Sequence, residues 1–547
     1  MSEESNQGGQ HGRDKSQGNG GAPRSAQGGM GGTRRGSRGS GNSGAPADRR
    51  DDAGRQRHRG GSGTGKQYSE LSPAERQRTA DPARAAAFEV LRAVEADDAY
   101  ANLALPGSIR RHKLDRRDAG FATELTYGAL REQGRLDAVL QHCIDRPIEQ
   151  VDPPVRDALR LGAYQLLNMR VPAHAALDAT VALTRQLVGA GAGGFVNAVL
   201  RRVSERTPEA WEEGMRAGAK DEEDALATLS SHPAWIVRAM RQALVVHGRD
   251  AAELPALLAA DNAAPTVNLV SLPGLGDPLA LHEAGANPSE LVPGAFLSDV
   301  GGDPGRLPGV AEGAVRVQDA GSQLVARALA FTPLPNGGPD RAWLDLCAGP
   351  GGKAALLGAV AAEKGAHLEA NEVAKHRGAL VTQGLKAVPA DSWHVEIGDG
   401  RRYNTEAPGF FDRIMLDAPC SGLGALRRRP EARWRKQPTD IPAMSKLQSE
   451  LLASAIDALR PGGLLAYVTC SPHPAETVAV VEGLLRSRKD VRLLDTGAAM
   501  DAVAIPDTIG ATRPADAMIG SDTGSTVQLF PHTEGTDAMF IALLTRD

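Results

Sequence analysis

The chain has 547 residues, enough for two or three domains, and 41% of them are hydrophobic, as in ordinary folded proteins. No run of about 18 apolar residues appears, and the polar N-terminus lacks the apolar segment of a secretory signal, so we expect a cytoplasmic protein without a membrane span. The formal net charge of -5 does not indicate a nucleic-acid partner by itself, so any basic surface must be local.

The four cysteines are spread along the chain without the close pairing of a zinc site or of a small disulfide-bonded domain. Reduced thiols are therefore the simplest interpretation, and we expect no bound metal. The four residues are Cys143, Cys347, Cys420 and Cys470.

Composition and periodicity divide the chain into four parts. Residues 1–68 are rich in Gly, Ser, Gln and Arg and carry too little apolar surface to offset the entropy of ordering, which predicts a disordered tail. This tail is either a loose electrostatic tether for RNA or a solubilising segment. Residues 81–206 show apolar stripes at helical spacing, which predicts a bundle of several helices.

The second half of the chain has a different pattern. Residues 207–316 begin with helical stretches and then become rich in Pro and Gly, which favours a small α+β module. In residues 317–547, short apolar runs alternate with helical stretches, and this alternation predicts a doubly wound α/β sheet.

A glycine-rich turn, LDLCAGPGGK at residues 344–353, lies between an apolar strand and an Ala-rich helix of the predicted sheet. Glycines let the backbone approach a ligand closely, and the helix N-terminus offers free N–H groups. The spacing of a nucleoside-triphosphate loop and the G-x-G-x-x-G pattern of a dinucleotide site are both absent. An adenosyl-amino acid, S-adenosylmethionine, is the ligand class that remains, with its amino-acid end near the turn.

Acidic residues follow the next two predicted strands. About 20 residues beyond the turn a strand ends at Glu372, where a carboxylate can accept hydrogen bonds from ribose hydroxyls. Asp399 follows the next strand-like stretch and is placed to lie beside the adenine amino group. The turn and the two acids in this order strengthen the assignment to S-adenosylmethionine.

Two later strands are each followed by a cysteine. Cys420 comes after the strand that ends at Asp417, and Cys470 directly follows a second apolar strand. If both strands are parallel, both thiols emerge at the ligand-binding edge. Such thiols suit methyl transfer to C5 of cytosine, which becomes a nucleophile only after a thiolate adds to C6. Lys353 is a candidate to lower the pKa of that thiol, and Asp417 is placed to aid addition near N3. The residues alone do not say which cysteine attacks.

A basic cluster that includes one aromatic residue follows Cys420. Its position predicts contacts with RNA phosphates and the stacking of a base on the indole ring. Because the target cytosine must leave its stack to reach a thiolate, we expect it in a loop or turned out of a stem. The cluster consists of Arg427, Arg428, Arg429, Arg433, Trp434 and Arg435.

These motifs resemble the Nop/Sun family of RNA cytosine-C5 methyltransferases. The helical part, with AFEVLRAV, and the later SHPAW segment are similar to the NusB-like portion and linker of bacterial Sun/Fmu-type enzymes, which act on small-subunit ribosomal RNA. The remaining matches span most of residues 317–544 in the family's order: VQDAGSQLVA, LDLCAGPGGK, ANEVAKHR, GDGR, FDRIMLDAPCSGLGALRRRPEARW, GGLLAYVTCS and LFPHTEGTDAMFIALL.

The resemblance implies a multidomain fold and a set of site residues. It implies a helical NusB-like RNA-binding bundle over residues 81–206, an RNA-binding α+β linker module over 207–316, and a Rossmann-like class I methyltransferase domain over 317–547. It makes Cys470 the nucleophile and Cys420 the residue that helps release the product. It places the cofactor against Cys347, Ala348, Gly349, Pro350, Gly351, Gly352, Lys353, Glu372, Asp399 and Asp417.

Three alternatives stay open on the sequence. A cytosine-C5 methyltransferase of DNA would use Cys420 as its single thiolate, although Cys470 and the NusB-like part argue against it. The same chemistry on tRNA is the second alternative. A non-catalytic RNA-binding or ribosome-assembly factor is the third, but it would not need two thiols. We therefore expect a monomeric enzyme that methylates C5 of a cytosine in small-subunit ribosomal RNA, either free or in an assembling particle.

Overall fold

The structure is a computed structural model that describes residues 80–298, 303–509 and 524–547. The predicted N-terminal tail at residues 1–68 lies outside the described residues. Within the described ranges, no helix is both long and apolar enough to cross a membrane.

The first described region is a bundle of helices around one apolar core. Asp81 caps the first helix, because its carboxylate accepts a hydrogen bond from Arg84 N at 2.9 Å, and proline fills the first helical position. Buried Phe88, Leu125 and Leu159 come from three different helices and meet in the core. The helices are α1 (Pro82–Ala96), α2 (Ala101–Arg111), α3 (Arg116–Arg131), α4 (Gln133–His142), α5 (Pro153–Asn168), α6 (Ala173–Leu187) and α7 (Ala190–Ser204).

Further helices connect this bundle to the rest of the chain. They are α8 (Pro208–Gly218), α9 (Glu222–Leu229), α10 (Ala234–Val246) and α11 (Leu254–Asn262). Buried side chains of α10 and α11 form one apolar cluster with Leu423, Leu426 and Phe530 from the C-terminal region. The helices at residues 234–262 therefore pack against loops that belong to the large sheet.

A small antiparallel sheet follows. Its strands lie in the order β2-β3-β1-β4, and Val267 of the first strand pairs with Ser298 of the third. The sequence predicted mixed helices and short strands in this part of the chain, and the structure agrees. The elements are β1 (Val267–Ser271), α12 (Pro278–Glu283), β2 (Asn287–Pro288), β3 (Ala295–Ser298) and β4 (Val315–Val317).

The C-terminal region is built on one large sheet with helices on both faces. Its early elements are α13 (Ala320–Phe331), β5 (Ala342–Asp345), α14 (Gly352–Glu363), β6 (His367–Glu372), α15 (Lys375–Gly384), β7 (Trp393–Ile397), α16 (Tyr403–Glu406), β8 (Phe411–Asp417) and α17 (Ala432–Arg435). Its later elements are α18 (Ile441–Ala458), β9 (Leu459–Thr469), α19 (Val478–Ser487), β10 (Val491–Leu493), α20 (Thr496–Asp501), β11 (Val527–Gln528) and β12 (Phe540–Arg546).

The strand order of the large sheet is β10-β12-β9-β8-β5-β6-β7, with β11 paired to β12. The strands from β9 to β7 are parallel, and β12 runs antiparallel to β9 and β10. Separate apolar clusters cover the two faces, so the parallel strands are buried on both sides. The predicted fold class, a helical region followed by a Rossmann-like α/β domain, is confirmed.

Strand register brings the predicted site residues to one edge. Asp345 at the end of β5 pairs with Met415 of β8, and Asp417 at the end of β8 pairs with Val468 of β9. The carboxyl ends of these parallel strands therefore lie side by side, and ligands of open α/β sheets bind outside such ends.

Candidate active site

The glycine turn joins the end of β5 to the start of α14. Gly351 has φ +102°, a backbone angle that residues other than glycine rarely adopt. A Cβ at this position would also lie 3.0 Å from Val381 Cα. Ala348 N donates to Asn371 O at 2.8 Å, which ties the turn to β6. A Cβ on Gly352 would have no neighbour closer than 3.9 Å, so the turn is open on that side. These features fit a bound adenosyl-amino acid.

Glu372 is buried at the end of β6 and contacts the turn directly. Its Oε2 atom accepts a hydrogen bond from Gly349 N at 3.1 Å, and its Oε1 atom accepts one from Ala374 N at 3.0 Å. Arg377 lies 3.4 Å from the same carboxylate and donates to Gly349 O at 2.6 Å. Glu372 thus shapes the turn, while its Oε1 atom, which accepts from Ala374 N alone, retains a lone pair for a ligand hydroxyl.

Asp399 lies on the same edge, one strand further out. Gly398 N donates to Glu372 O at 3.2 Å, which places Asp399 beside the end of β6. Its carboxylate is about half exposed and forms an ion pair with Arg401, which holds the pKa of Asp399 below its usual value. Arg401 also pairs with Glu450 of α18, 2.7 Å away.

Lys353 and Asp417 form an ion pair between the turn and the end of β8. Lys353 Nζ lies 2.9 Å from Asp417 Oδ2, and both side chains are mostly buried. Burial works against the charged amine, but the negative charge of Asp417 outweighs it and raises the pKa of Lys353. The Lys353 ammonium therefore stays charged, and its positive charge acts on Cys470.

The structure brings the two predicted cysteines into contact. Cys420 Sγ lies 3.4 Å from Cys470 Sγ, close enough for one thiol to donate to the other. That hydrogen bond raises the pKa of Cys420, with burial acting in the same direction, and it lowers the pKa of Cys470. Lys353 also lowers the pKa of Cys470. The arrangement favours a thiolate on Cys470 and a thiol on Cys420.

Two buried acids of this region were not identified from the sequence. Asp345, the last residue of β5, has its pKa raised to about 8 by burial and by the nearby charge of Asp417. Glu476 lies in a short turn after β9 and contacts the residues that follow both cysteines. In the sequence, an apolar strand that ends in Asp is a weak signal for Asp345, and no sequence pattern indicates Glu476.

The basic cluster after Cys420 is mostly internal. Arg427 and Arg428 both pair with Asp319 and Asp537, at distances between 2.6 and 2.9 Å. Arg427 is buried, so the predicted RNA contact is wrong for this residue. These ion pairs fix the loop after β8 to the loop before β12, and Asp537 is one of the charges that act on Cys470.

Other members of the cluster hold the helical bundle against the large sheet. Arg433 is fully buried, and its guanidinium donates to Ser231 O at 3.0 Å and to Asn262 Oδ1 at 2.8 Å. It has no free surface for a phosphate, so the predicted RNA contact is wrong for Arg433 as well. Arg435 donates to Val94 O and to Ala99 O, both at 2.7 Å.

Trp434 and Arg429 differ in their surroundings. Trp434 packs against Gly134 of α4, where an added Cβ would lie 2.6 Å from the indole ring, so this part of the ring faces the bundle. Arg429 is exposed, with its guanidinium carbon 5.1 Å from the centre of the Tyr100 ring. Of the predicted cluster, Arg429 has the most exposed side chain.

No group of three or more His, Cys, Asp or Glu side chains with the geometry of a metal site occurs in residues 80–298, 303–509 and 524–547. The four cysteines are free thiols. The site is therefore composed of the glycine turn, the acids at the strand ends, the lysine and the two thiols.

Two family models and a solved structure match this chain. Residues 334–545 match the family model described as 16S rRNA methyltransferase RsmB/F, and residues 81–205 match that of the NusB family. A crystal structure of PH0851 superimposes with a TM-score of 0.69 at 22% identity, covering 86% of this chain and 99% of that one. At this level of identity, the superposition shows the shared fold.

Two relatives establish the family. The protein Rv1407 of Mycobacterium tuberculosis is 46% identical over 474 residues, which are 86% of this chain and 98% of the relative. The ribosomal RNA small subunit methyltransferase B of Pseudomonas putida is 34% identical over 421 residues, 75% of this chain and 91% of the relative. With both matches covering nearly the whole relative, the chain belongs to the RsmB/F family of methyltransferases.

Proposed function

We propose that this protein transfers a methyl group from S-adenosylmethionine to C5 of a cytosine in small-subunit ribosomal RNA, through a covalent bond between Cys470 and C6. The observation that carries the proposal is the 3.4 Å contact between Cys470 and Cys420 beside the Lys353–Asp417 pair. The name of the Pseudomonas putida relative supports ribosomal RNA as the substrate.

The residues of the turn and of the neighbouring strand ends would hold the cofactor. The turn from Cys347 to Lys353 would take the amino-acid end, Glu372 the ribose hydroxyls and Asp399 the adenine amino group. When bound, the cofactor supplies an electrophilic methyl group for C5 of the activated base.

The chain's own residues account for activation of the base. Cys470, the thiol with the lowered pKa, adds as a thiolate to C6 of the cytosine. Asp417, which Lys353 positions, is assigned to the N3 edge of the base, where its carboxyl in the protonated form would donate to N3 and aid this addition. After methylation the C5 proton leaves, the Cys470–C6 bond breaks, and Cys420 assists this release.

RNA contacts are assigned to surfaces that the structure leaves accessible. We assign the helical part at residues 81–206 and the linker at residues 207–316 to RNA binding. In the cluster after Cys420, the exposed Arg429 is the residue placed to meet a phosphate or a base.

The test is a methyl-transfer assay with labelled S-adenosylmethionine on unmodified small-subunit ribosomal RNA and on the small subunit, followed by bisulfite sequencing. We expect one new 5-methylcytosine, its loss in Cys470→Ala, and a trapped protein–RNA adduct in Cys420→Ala. Cys143→Ala is the matched control, because this thiol is buried in the helical bundle. An adduct in Cys470→Ala would reverse the roles of the two cysteines. With tRNA and DNA assayed in parallel, methyl transfer to either of them but not to ribosomal RNA would contradict the proposed substrate. No methyl transfer despite cofactor binding would contradict the proposed enzymatic activity.

A further inference from the structure

Glu476 connects the two loops that carry the cysteines. The residue is fully buried, and its carboxylate accepts hydrogen bonds from Ser421 N at 2.7 Å, from the Ser421 hydroxyl and from Ser471 Oγ at 2.6 Å. Ser421 and Ser471 are the residues that directly follow Cys420 and Cys470. One carboxylate therefore fixes both loops at the residue next to each cysteine.

Neighbouring groups hold Glu476 itself in place. Tyr467 Oη donates to Glu476 O at 2.7 Å, and Gln448 Nε2 lies 3.3 Å from Glu476 Oε1. The same amide donates to Pro419 O at 2.8 Å, so the residue before Cys420 belongs to this network too. The network ties β9, α18 and the loop after β8 into one unit around the thiols.

An acid is an unusual side chain for a purely structural link at a fully buried position. Within the described residues, no lysine or arginine forms an ion pair with Glu476, and the donors to its carboxylate are the neutral groups of Ser421, Ser471 and Gln448. A buried carboxylate without a cationic partner is unfavourable, whereas an amide side chain could join the two loops without this penalty. A function for the negative charge explains why an acid stands here.

We propose that Glu476 is the positioning residue of this site, which holds the two thiols at their separation and keeps the proton on Cys420 while Cys470 attacks. The proposal rests on the proposed function, because it takes the cysteine roles from there. Glu476 does not touch the reacting atoms, and it acts through the loops and through its charge.

The charges around the two thiols bear on these roles, in which Cys420 keeps its proton and Cys470 attacks. Cys420 faces Cys470, Glu476 and Asp417, and all three raise its pKa together with burial. Cys470 faces Cys420, Asp417, Lys353 and Asp537, and among these Lys353 and the Cys420 hydrogen bond lower its pKa. Asp417 acts on both thiols, Glu476 acts on Cys420 and Asp537 acts on Cys470, so Lys353 is the charge that sets Cys470 apart.

The test compares Glu476→Gln and Glu476→Ala with the wild type and with Glu482→Gln. The glutamine variant keeps the shape and the acceptor for Ser421 N but removes the charge, and the alanine variant removes both. Glu482 lies on α19 with a side chain that is 45% exposed, so the same substitution there is the matched control. The readouts are kcat and KM for S-adenosylmethionine, and the pH dependence of Cys420 alkylation in a Cys470→Ala background.

We expect Glu476→Gln to lower kcat about 100-fold, the size of a lost acid–base contribution, because Cys420 would hold its proton less firmly, with KM for S-adenosylmethionine unchanged. Cys420 should become alkylated at lower pH in that variant, since its neighbouring anion is gone. Glu482→Gln should match the wild type in both readouts. If Glu476→Ala does not fold, the glutamine variant and the thiol titration still decide the matter.

Two outcomes would overturn the proposal: a wild-type kcat in Glu476→Gln, or an unchanged alkylation profile of Cys420. Failure of the proposed function would look different. In that case the wild type itself would not methylate cytosine, while the Cys420 titration would still report whether Glu476 controls the proton on that thiol.

Discussion

Lys353 Nζ lies 2.9 Å from Asp417 Oδ2, at the point where the helix after the glycine turn meets the end of the strand that leads to Cys420. This contact joins the proposed cofactor site to the thiols. It also places a buried cation where it lowers the pKa of Cys470, so under the proposed function one lysine links cofactor binding to activation of this thiol.

Replacement of Lys353 by methionine should therefore raise the pKa of Cys470. The reactive thiolate is lost as the pH falls through that pKa, so the acidic limb of the rate profile should move to higher pH. A shift of about one pKa unit would lower the rate at neutral pH about tenfold and leave the rate at high pH closer to that of the wild type. Rate–pH profiles and iodoacetamide labelling of Cys470 measure the effect.

The matched control for that experiment is Lys446→Met, because the Lys446 side chain is 80% exposed on α18. It should behave as the wild type. A Lys353→Met profile that keeps the wild-type midpoint would show that the lysine does not act on Cys470.

Arg433→Ala should destabilise the protein without acting through RNA. Its guanidinium reaches carbonyl oxygens of residues between the helical bundle and the small sheet, among them Ser231 O and Asp261 O. Removal leaves these buried acceptors without a charged donor, so we expect the free energy of unfolding to fall by about 3 kcal/mol. Burial lowers the pKa of Arg433 to about 10, and the side chain is still charged at neutral pH.

Chemical denaturation checks this prediction, with Arg486→Ala as the control because the Arg486 side chain is 74% exposed. The folded Arg433→Ala protein, tested below its unfolding transition, should bind RNA as the wild type does. Weaker RNA binding with unchanged stability would restore the interpretation of Arg433 as an RNA contact.

Arg433 also shows where sequence reasoning stops. A run of arginines beside an active-site cysteine looks the same in sequence whether its members face solvent or a neighbouring region of the chain. Local periodicity and strand order were enough to place Lys353, Asp417 and the two cysteines on one edge, because the ends of parallel strands must meet there. The partners of Arg433 are 171 and 202 residues away in sequence, and no local pattern encodes such contacts.

Glu476 was missed for a related reason. It follows Cys470 by six positions, but its importance lies in contacts with Ser421, 55 residues earlier. The glycine turn could be predicted because its residue spacing within a short segment already indicates a ligand class. An acid that joins two loops can be recognised only once the structure shows both loops.

Gly349→Ala should weaken cofactor binding. A Cβ at this position would lie 2.2 Å from Glu372 Oε2 and 2.9 Å from the Arg377 side chain, so the carboxylate must move. Glu372 is the proposed ribose ligand, and its displacement should lower the affinity for S-adenosylmethionine about tenfold or more, the equivalent of one hydrogen bond to a charged group. Titration calorimetry measures this change.

Gly483→Ala is the control for the glycine substitution, because a Cβ on this helix residue would meet nothing within 4 Å. Equal affinities of wild type and Gly349→Ala for the cofactor would show that the turn and Glu372 do not form its site.

Asp345 provides a prediction about pH and stability. The pKa of this carboxyl is about 8 in the folded protein and near 3.9 in an unfolded chain, so the folded state binds the proton more tightly. Stability contributed by the protonated acid is present at low pH and is lost as the pH rises from about 4 to about 8. Asp345→Asn removes the ionisation, so this variant should gain stability relative to the wild type as the pH increases through that window.

The measurement is denaturant unfolding of ligand-free wild type and Asp345→Asn at about pH 5 and about pH 9, which bracket most of the titration. The unfolding free energy of Asp345→Asn minus that of the wild type should be larger at the higher pH than at the lower pH. Asp391→Asn, at an exposed position, should show no such change. If the wild type and Asp345→Asn differ equally at both pH values, the carboxyl does not titrate in this window, and the ionised acid is already accommodated beside Asp417.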